Sequence, residues 1–260
     1  MSHKTPFLGL EFDPLTAEQA AQTMARRARQ MGPFAYVATP NVDHLVRLHR
    51  QPHLETLYGD AWLNLCDSHI LELLAEASYI RLPAAPGADI VEILFRDHIR
   101  AGDRITVIGG AQRMIDALRT KYSLRAINWF DAPQGLYTDP EARARCVRFI
   151  RENPARFVFL AVGSPQQEMI ARDARASGAC SGVAICCGEA LEFLSGESKR
   201  APEWMRARRL EWLFRLTSQP RRMWKRYLVD GPRIFWMWCR WRNEPEDASV
   251  PAADMAVSSR

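Results

Sequence analysis

Cysteine is sparse, and the six thiols present (Cys66, Cys146, Cys180, Cys186, Cys187 and Cys239) form no C-x-x-C pair and no metal-ligand spacing. A disulfide framework and a zinc site are therefore not expected, and the adjacent Cys186-Cys187, inside an apolar run, read as small buried hydrophobes. No apolar stretch reaches the roughly 18 residues that a membrane-crossing helix requires, and no charged, apolar, then small-residue leader opens the chain. The expectation is a protein made and kept in the cytosol. The G-x-G-x-x-G fingerprint is missing, since Ile108-Gly109-Gly110 does not complete it, and there is no Walker lysine string. Nicotinamide-dinucleotide and P-loop chemistry thus lack their signatures. No Asp-x-Asp string offers itself to a divalent metal either, so neither a metal nor an organic cofactor is expected.

What the chain does have is an uneven distribution of charge. Its 35 Lys/Arg and 30 Asp/Glu give a net +5, but the stretch Lys199 to Arg242 alone carries 13 cations against Glu203, Glu211 and Asp230. That stretch is +10, so the remainder of the chain is acidic. Six of the eight tryptophans (Trp204, Trp212, Trp224, Trp236, Trp238 and Trp241) lie among those cations. Lys and Arg attract phosphates and anionic head groups, and indole rings settle where an apolar phase meets water, so a membrane surface or polyanion is the expected partner. The plain alternative is a solvated helical face with core tryptophans.

The 260 residues, 47% hydrophobic and 25% charged, suit one large domain or a domain with an appendage. Short apolar runs at Phe34–Val37, Trp62–Cys66, Ile105–Ile108, Ala126–Phe130, Phe157–Val162 and Val183–Cys187 read as buried strands. Amphipathic stretches follow most of them, at Val42–Gln51, His69–Ala77, Gln112–Lys121, Glu141–Glu152 and Gln166–Ala176. Strand and helix in alternation imply an α/β fold with a Rossmann-like, mostly parallel sheet. Near the start, Thr16 and Gln19 have capping-box spacing and open a helix expected to run to about Met31. The expected division is an α/β catalytic domain over 1–196, a basic aromatic appendage over 197–242 cut into short helices by Pro202, Pro220 and Gly231-Pro232, and a disordered tail over 243–260.

In an open parallel sheet, ligands bind beyond the carboxyl ends of the strands, where loop amides and helix N-termini converge. Polar residues and glycines gather at those exits: Thr39-Pro40-Asn41, Asp67-Ser68, Gly109-Gly110, Gly163-Ser164-Pro165-Gln166-Gln167-Glu168 and Gly188-Glu189. Taken singly, each has a structural alternative. Thr39 and Asn41 can cap a helix, the glycines can turn the chain, and Asp67 can serve as an N-cap. Together they point to a site.

Several of these strings, with Leu8-Gly9, Gly87-Ala88-Asp89, Arg200-Ala201-Pro202-Glu203-Trp204, Leu210-Glu211-Trp212-Leu213-Phe214-Arg215-Leu216 and Gln219-Pro220-Arg221, carry a resemblance. In order, across about residues 5 to 230, the chain resembles the WecG/TagA/CpsF glycosyltransferase family, glycosyltransferase family 26. The resemblance implies metal-independent, inverting transfer of a sugar, in an N-acetylmannosaminyltransferase-like reaction. The implied donor is a UDP-sugar and the implied acceptor a polyprenyl-diphosphate-linked saccharide, in bacterial exopolysaccharide or related cell-surface polysaccharide biosynthesis. It further implies peripheral attachment to the cytoplasmic membrane surface. Asp67 matches the family's general base, Thr39, Asn41 and Gln167 match polar pocket positions, and Arg215, Arg222 and Arg226 fall in the arginine-rich membrane-contacting part. The chain departs from the family pattern in having Ser68 where glycine follows the aspartate, and in the spacing of Arg81 from Gly87.

Inverting transfer needs a base for the acceptor hydroxyl and stabilisation of the departing diphosphate. Asp67 is the natural base. Gly109, Gly110, Gly163 and Gly188 supply backbone at the rim, and Arg215, Arg222 and Arg226, spaced seven and four apart, are the candidate cations for the diphosphate. Two other classes stay open: a nucleic-acid-binding α/β protein that uses the basic aromatic strip, and an inactive membrane-associated scaffold of the same fold. Nucleic acid is not the expected partner, and self-association is left open.

Overall fold

The computed structural model describes residues 4–30, 32–218, 220–224 and 231–243. The chain opens with an antiparallel hairpin, β1 (Thr5–Phe7) and β2 (Leu10–Phe12). The turn residues Leu8 and Gly9 are both left-handed, with φ 52° and 83°, as a two-residue turn between twisted strands demands. Phe7 and Phe12 point inward and are fully buried. Asp13 then pins the hairpin to the sheet, since its Oδ2 accepts from the Asn64 amide at 2.9 Å and Asn64 Nδ2 donates back to the Glu11 carbonyl at 3.0 Å.

Helix α1 (Ala17–Ala28) starts at the expected capping box: Thr16 Oγ1 accepts from the Gln19 amide, and Gln19 Oε1 from the Thr16 amide. It ends three residues before the expected Met31. Six strands follow: β3 (Ala35–Ala38), β4 (Leu63–Asn64), β5 (Arg104–Gly109), β6 (Ala126–Phe130), β7 (Phe157–Ala161) and β8 (Val183–Cys186). They form one parallel sheet in the order β4-β3-β8-β7-β5-β6. The connecting helices are α2 (Val42–Arg50), the short α3 (Thr56–Gly59), α4 (His69–Glu76), α5 (Gly87–Ile93), α6 (Gln112–Lys121), α7 (Pro140–Glu152), α8 (Gln166–Ala176) and α9 (Ala190–Ser195). The fold is α/β, with a parallel sheet flanked by helices.

Alternation along the strands sorts the side chains into two cores. Tyr36, Ala38, Val158 and Leu160 face Leu45 of α2, Leu71 of α4, Cys146 of α7 and Ile170 of α8. Val37, Val107, Phe157 and Phe159 face Met24 of α1, Ile90 of α5, Ile115 of α6 and Leu191 of α9. Strands buried on both faces are apolar at nearly every position, the buried Thr106 and Asn64 being hydrogen-bonded to backbone carbonyls, which is why the strands stand out as continuous runs rather than as alternating patterns.

Beyond Gly196 the chain forms α10 (Glu203–Ala207), α11 (Glu211–Ser218), α12 (Pro220–Trp224) and α13 (Arg233–Asn243). Helix α13 packs against the body. Ile234 is fully buried, Trp241 meets the Phe7 ring edge-on at 5.2 Å, and Trp238 Nε1 donates to Ser78 Oγ at 2.8 Å. Asn243 closes α13, and the rest of the expected disordered tail, 244–260, lies outside the described residues. Among the described residues no helix is long and apolar enough to cross a membrane.

Candidate active site

Strands β3 and β8 are neighbours, yet their outgoing chains part: β3 leads to α2 on one face of the sheet and β8 to α9 on the other. The same divergence separates β7 from β5. These are the crevices where a parallel sheet receives a ligand. The candidate residues line them, with Thr39 and Gly188 at the first and Gly163 with Gly109-Gly110 at the second. Gly109 is obligatory there: it has φ 90°, and a Cβ on it would stand 2.7 Å from the Ala161 carbonyl oxygen.

The floor of the first crevice is a set of cross-strand hydrogen bonds. Thr39 Oγ1, buried, donates to the Cys186 carbonyl at 3.3 Å and so ties the β3 exit to the β8 exit. Gln167, also buried, accepts from the Gly188 amide at its Oε1 and donates from its Nε2 to Glu168 Oε1, both at 3.0 Å. Thr39 and Gln167, expected as pocket side chains, thus fasten the rim from beneath. Asn41 is the N-cap of α2: its side chain accepts from the Asp43 amide at 3.1 Å, while His44 Nδ1 accepts from the Asn41 amide. Gly87 presses onto Thr39, where a Cβ would stand 3.2 Å from the hydroxyl, so the Gly87-Ala88-Asp89 string closes over the β3 exit.

Below this floor lies Glu168, the last residue of the β7 exit string, whose burial the sequence did not indicate. Glu168 is wholly buried; its Oε2 has no hydrogen-bond partner among the described residues, and burial pushes its carboxyl above the ordinary glutamate range. The bond from Gln167 and the nearby Ser164 hydroxyl and Arg47 guanidinium offset only part of that shift. Arg47 donates to Ser164 Oγ at 3.0 Å and to Asp43 Oδ2 at 2.9 Å, fixing the β7 exit against α2. The thiols of this region do not compete as nucleophiles. Burial pushes Cys187 up to about 12 and raises Cys186 well above the usual thiol value.

Asp67 follows β4 at the edge of the same rim. Its amide donates to the Pro40 carbonyl at 3.0 Å, which holds it beside the Thr39-Pro40-Asn41 exit, and its side chain is half-buried. The N-cap of α4 is Ser68, whose Oγ accepts from the Leu71 amide at 3.3 Å, so the capping role that Asp67 could have filled belongs to its neighbour. Serine at position 68 thus has a plain structural use.

The Gly87-Ala88-Asp89 and Arg200-Ala201-Pro202 strings, more than a hundred residues apart in sequence, meet. Arg200 pairs with Asp89 at 2.5 Å and with Glu92 at 3.2 Å, Arg206 pairs with Asp89 at 3.5 Å, and Arg209 reaches Glu72 at 3.3 Å. Glu72 Oε1 in turn accepts from the Ala84 amide at 3.0 Å, holding the loop between α4 and α5. The side chains of Arg215 and Arg222, and all of Arg226, lie outside the described residues. Among the described residues no three His, Cys, Asp or Glu side chains are grouped so as to hold a metal ion.

The arrangement is thus a Rossmann-like parallel sheet with polar strand exits and a carboxylate at its rim, the place where such sheets receive ligands. Residues 5–248 match the Glycosyl transferase WecG/TagA/CpsF family, and the chain belongs to that family. It is accordingly a glycosyltransferase, which takes a sugar from a donor to an acceptor.

Proposed function

We propose that this glycosyltransferase moves a sugar, with inversion, from a UDP-sugar to a polyprenyl-diphosphate-linked saccharide, in an N-acetylmannosaminyltransferase-like step of cell-surface polysaccharide synthesis. The observation that carries the reading is Asp67, a half-buried carboxylate at the carboxyl edge of the sheet, held beside the β3 exit by its amide bond to the Pro40 carbonyl. In the step, the acceptor hydroxyl oxygen bonds to the anomeric carbon on the face opposite the diphosphate. The carbon–oxygen bond to the diphosphate breaks, and the hydroxyl proton passes to the Asp67 carboxylate. The leaving group departs as an anion, so arginines and exposed amides can meet its charge without a second carboxylic acid. Arg215, Arg222 and Arg226 are assigned that part, and the backbone at Gly163, Gly188, Gly109 and Gly110 the cradling of the donor.

Residues 1–196 are read as the catalytic body, and 197–242 as the part that completes the site and holds the inner face of the cell membrane. Each cation close to an anionic surface contributes on the order of 1 kcal/mol, so about five engaged together give reversible, salt-sensitive attachment. The test is a thermal-shift screen against UDP-, GDP- and dTDP-sugars, followed by transfer assays with lipid-linked acceptors. Stabilisation by a uridine nucleotide sugar with transfer to a diphosphate-linked acceptor is the expected result. Salt-dependent oligonucleotide binding without nucleotide-sugar binding would turn the reading toward nucleic acid, and donor binding with no transfer toward an inactive scaffold.

A further inference from the structure

We propose that the α/β body carries a lipid-interface anchor of its own, Tyr79, held at the far end of α4 from Asp67, so that the catalytic domain itself touches the anionic membrane surface. The inference rests on the membrane reading of the proposed function and adds to it a contact outside the C-terminal helices.

Helix α4 closes with a left-handed residue. The Ile80 amide donates back to the Ala75 carbonyl at 2.9 Å and the Tyr79 amide to the Glu76 carbonyl at 3.0 Å. Tyr79 sits in the left-handed position with φ 59°. Glycine is favoured there, because a Cβ crowds the neighbouring carbonyl. A tyrosine in that place bears a backbone cost and recovers none of it by packing, since its ring is 97% exposed. A single exposed aromatic needs no explanation. Exposed apolar side chains also occur on the two helices that meet here: Leu73 on α4 is 47% exposed, and Phe235, one helical turn before Trp238 on α13, is half exposed, whereas Trp236 lies on the other flank of α13 against His49 of α2.

The two helices are joined at this spot. Ser78 Oγ donates to the Leu74 carbonyl at 3.0 Å and accepts from Trp238 Nε1 at 2.8 Å, so α13 is bonded to the residue next to Tyr79. The partner is argued from charge. Arg81, exposed, follows Tyr79 by two residues, and the Arg242 guanidinium lies 5.1 Å from the centre of the Trp238 ring. Glu76 is an exposed acid on the same turn, so the local balance is cationic by a narrow margin. Aromatic rings flanked by arginine are the pattern of a bilayer interface with anionic lipid, where the ring lies among head groups and the cations meet phosphates. Helix α4, eight residues and so about 12 Å long, lies between Asp67 and Tyr79, starting two residues after the one and ending three before the other. An anchor beyond the far end of that helix suits an acceptor whose lipid stays in the bilayer while its sugar reaches the base.

The test uses the full chain and vesicles of phosphatidylglycerol and phosphatidylcholine, with sedimentation as the readout. Tyr79→Gly removes the ring and relieves the backbone, so its Tm is expected to hold or rise by up to about 3 °C, while its apparent vesicle affinity falls by about fivefold. Tyr79→Trp is expected to restore binding. Equal vesicle binding by wild type and Tyr79→Gly would overturn the anchor and leave the membrane reading standing. Absence of vesicle binding by the wild type would remove the membrane reading and the anchor together. A change of oligomeric state in Tyr79→Gly, with vesicle binding intact, would overturn the anchor in favour of an interface between copies of the chain.

Discussion

The α/β body and the C-terminal helices use their charged and aromatic side chains in opposite ways. In the body, large rings such as Tyr36, Phe157 and Phe159 are buried between layers, and two acids, Asp13 and Glu168, are buried with them. In the C-terminal part, Trp204, Trp224, Phe235 and Trp236 are half exposed among cations. The two parts are nevertheless not independent. Arg200, Arg206 and Arg209 are matched by Asp89, Glu92 and Glu72 of the body, and Ile234 completes the body's core. A surplus of +10 in the segment is therefore not a surplus of +10 toward an outside partner, because part of it balances the acidic body and fixes the first of these helices in place. Charge counted along a chain measures what is available to a ligand only after the intramolecular pairs are subtracted.

The sharpest test of this division strikes the body's proposed chemistry. Asp67→Asn should leave the fold and donor binding intact and lower turnover by about 100-fold or more, as loss of a general base does. Single-turnover kinetics with saturating donor measure it, and full activity would take Asp67 out of the mechanism. Next comes the join between the regions. Ile234→Ala removes a fully buried side chain at the α13 contact and should cost about 2–4 kcal/mol in denaturant unfolding of the full chain. A cost near zero would mean that α13 contributes nothing to the body.

The ion-pair cluster should show a smaller effect. Arg200→Gln leaves Asp89 and Glu92 with Arg206 alone, and a loss of about 1–3 kcal/mol is expected, moderated because both acids are partly exposed. Pairing with Asp89→Asn in a double-mutant cycle isolates the coupling, and strict additivity would contradict it. The smallest effect concerns the body's floor. Glu168 titrates above the ordinary 4.5 when folded, so the unfolded chain gives up this proton first as pH rises. The wild type therefore loses stability from about pH 4.5 up through the folded value and does not recover it above. Glu168→Gln lacks that titration, and its Tm advantage over wild type should grow between pH 4 and pH 8. A gap that stays flat would show the carboxyl to be ionised like any other.

Much of the frame was legible because burial on both faces leaves a strong mark. The runs at Ile105, Ala126 and Phe157 became β5, β6 and β7 almost residue for residue, and Thr16 with Gln19 formed the capping box their spacing implied. The hairpin of β1 and β2 escaped because three-residue strands are too short to show a period. Helix α1 stopped at Ala28, since the chain must turn before the Pro33 bridge to Ser181. At the site, the exits were legible as glycine and polar clusters and Asn41 as a helix cap, but the bonds by which Thr39 and Gln167 fasten neighbouring exits were not. A side chain that fastens two strands and one that greets a ligand have the same composition. Arg47 gave no signal of its own, and Glu168 was legible only as the end of an exit string, not as a buried carboxyl, since an arginine and a glutamate on amphipathic helices read as solvent-facing until the packing puts one against Ser164 and the other in the core.

Local chemistry alone determined the alternation of strand and helix, the loops that carry polar residues, and the separation of an acidic body from a basic, indole-rich end. These follow from periodicity, turn residues and the count of charges, which need no knowledge of distant neighbours. Only the tertiary structure decided that Arg200 meets Asp89, that Thr39 ties to the Cys186 carbonyl, and that Trp238 bonds to Ser78 next to the exposed Tyr79. Each of those depends on which surfaces the parallel sheet brings together, and contacts across a hundred residues leave no trace in the residues that make them until the chain has closed.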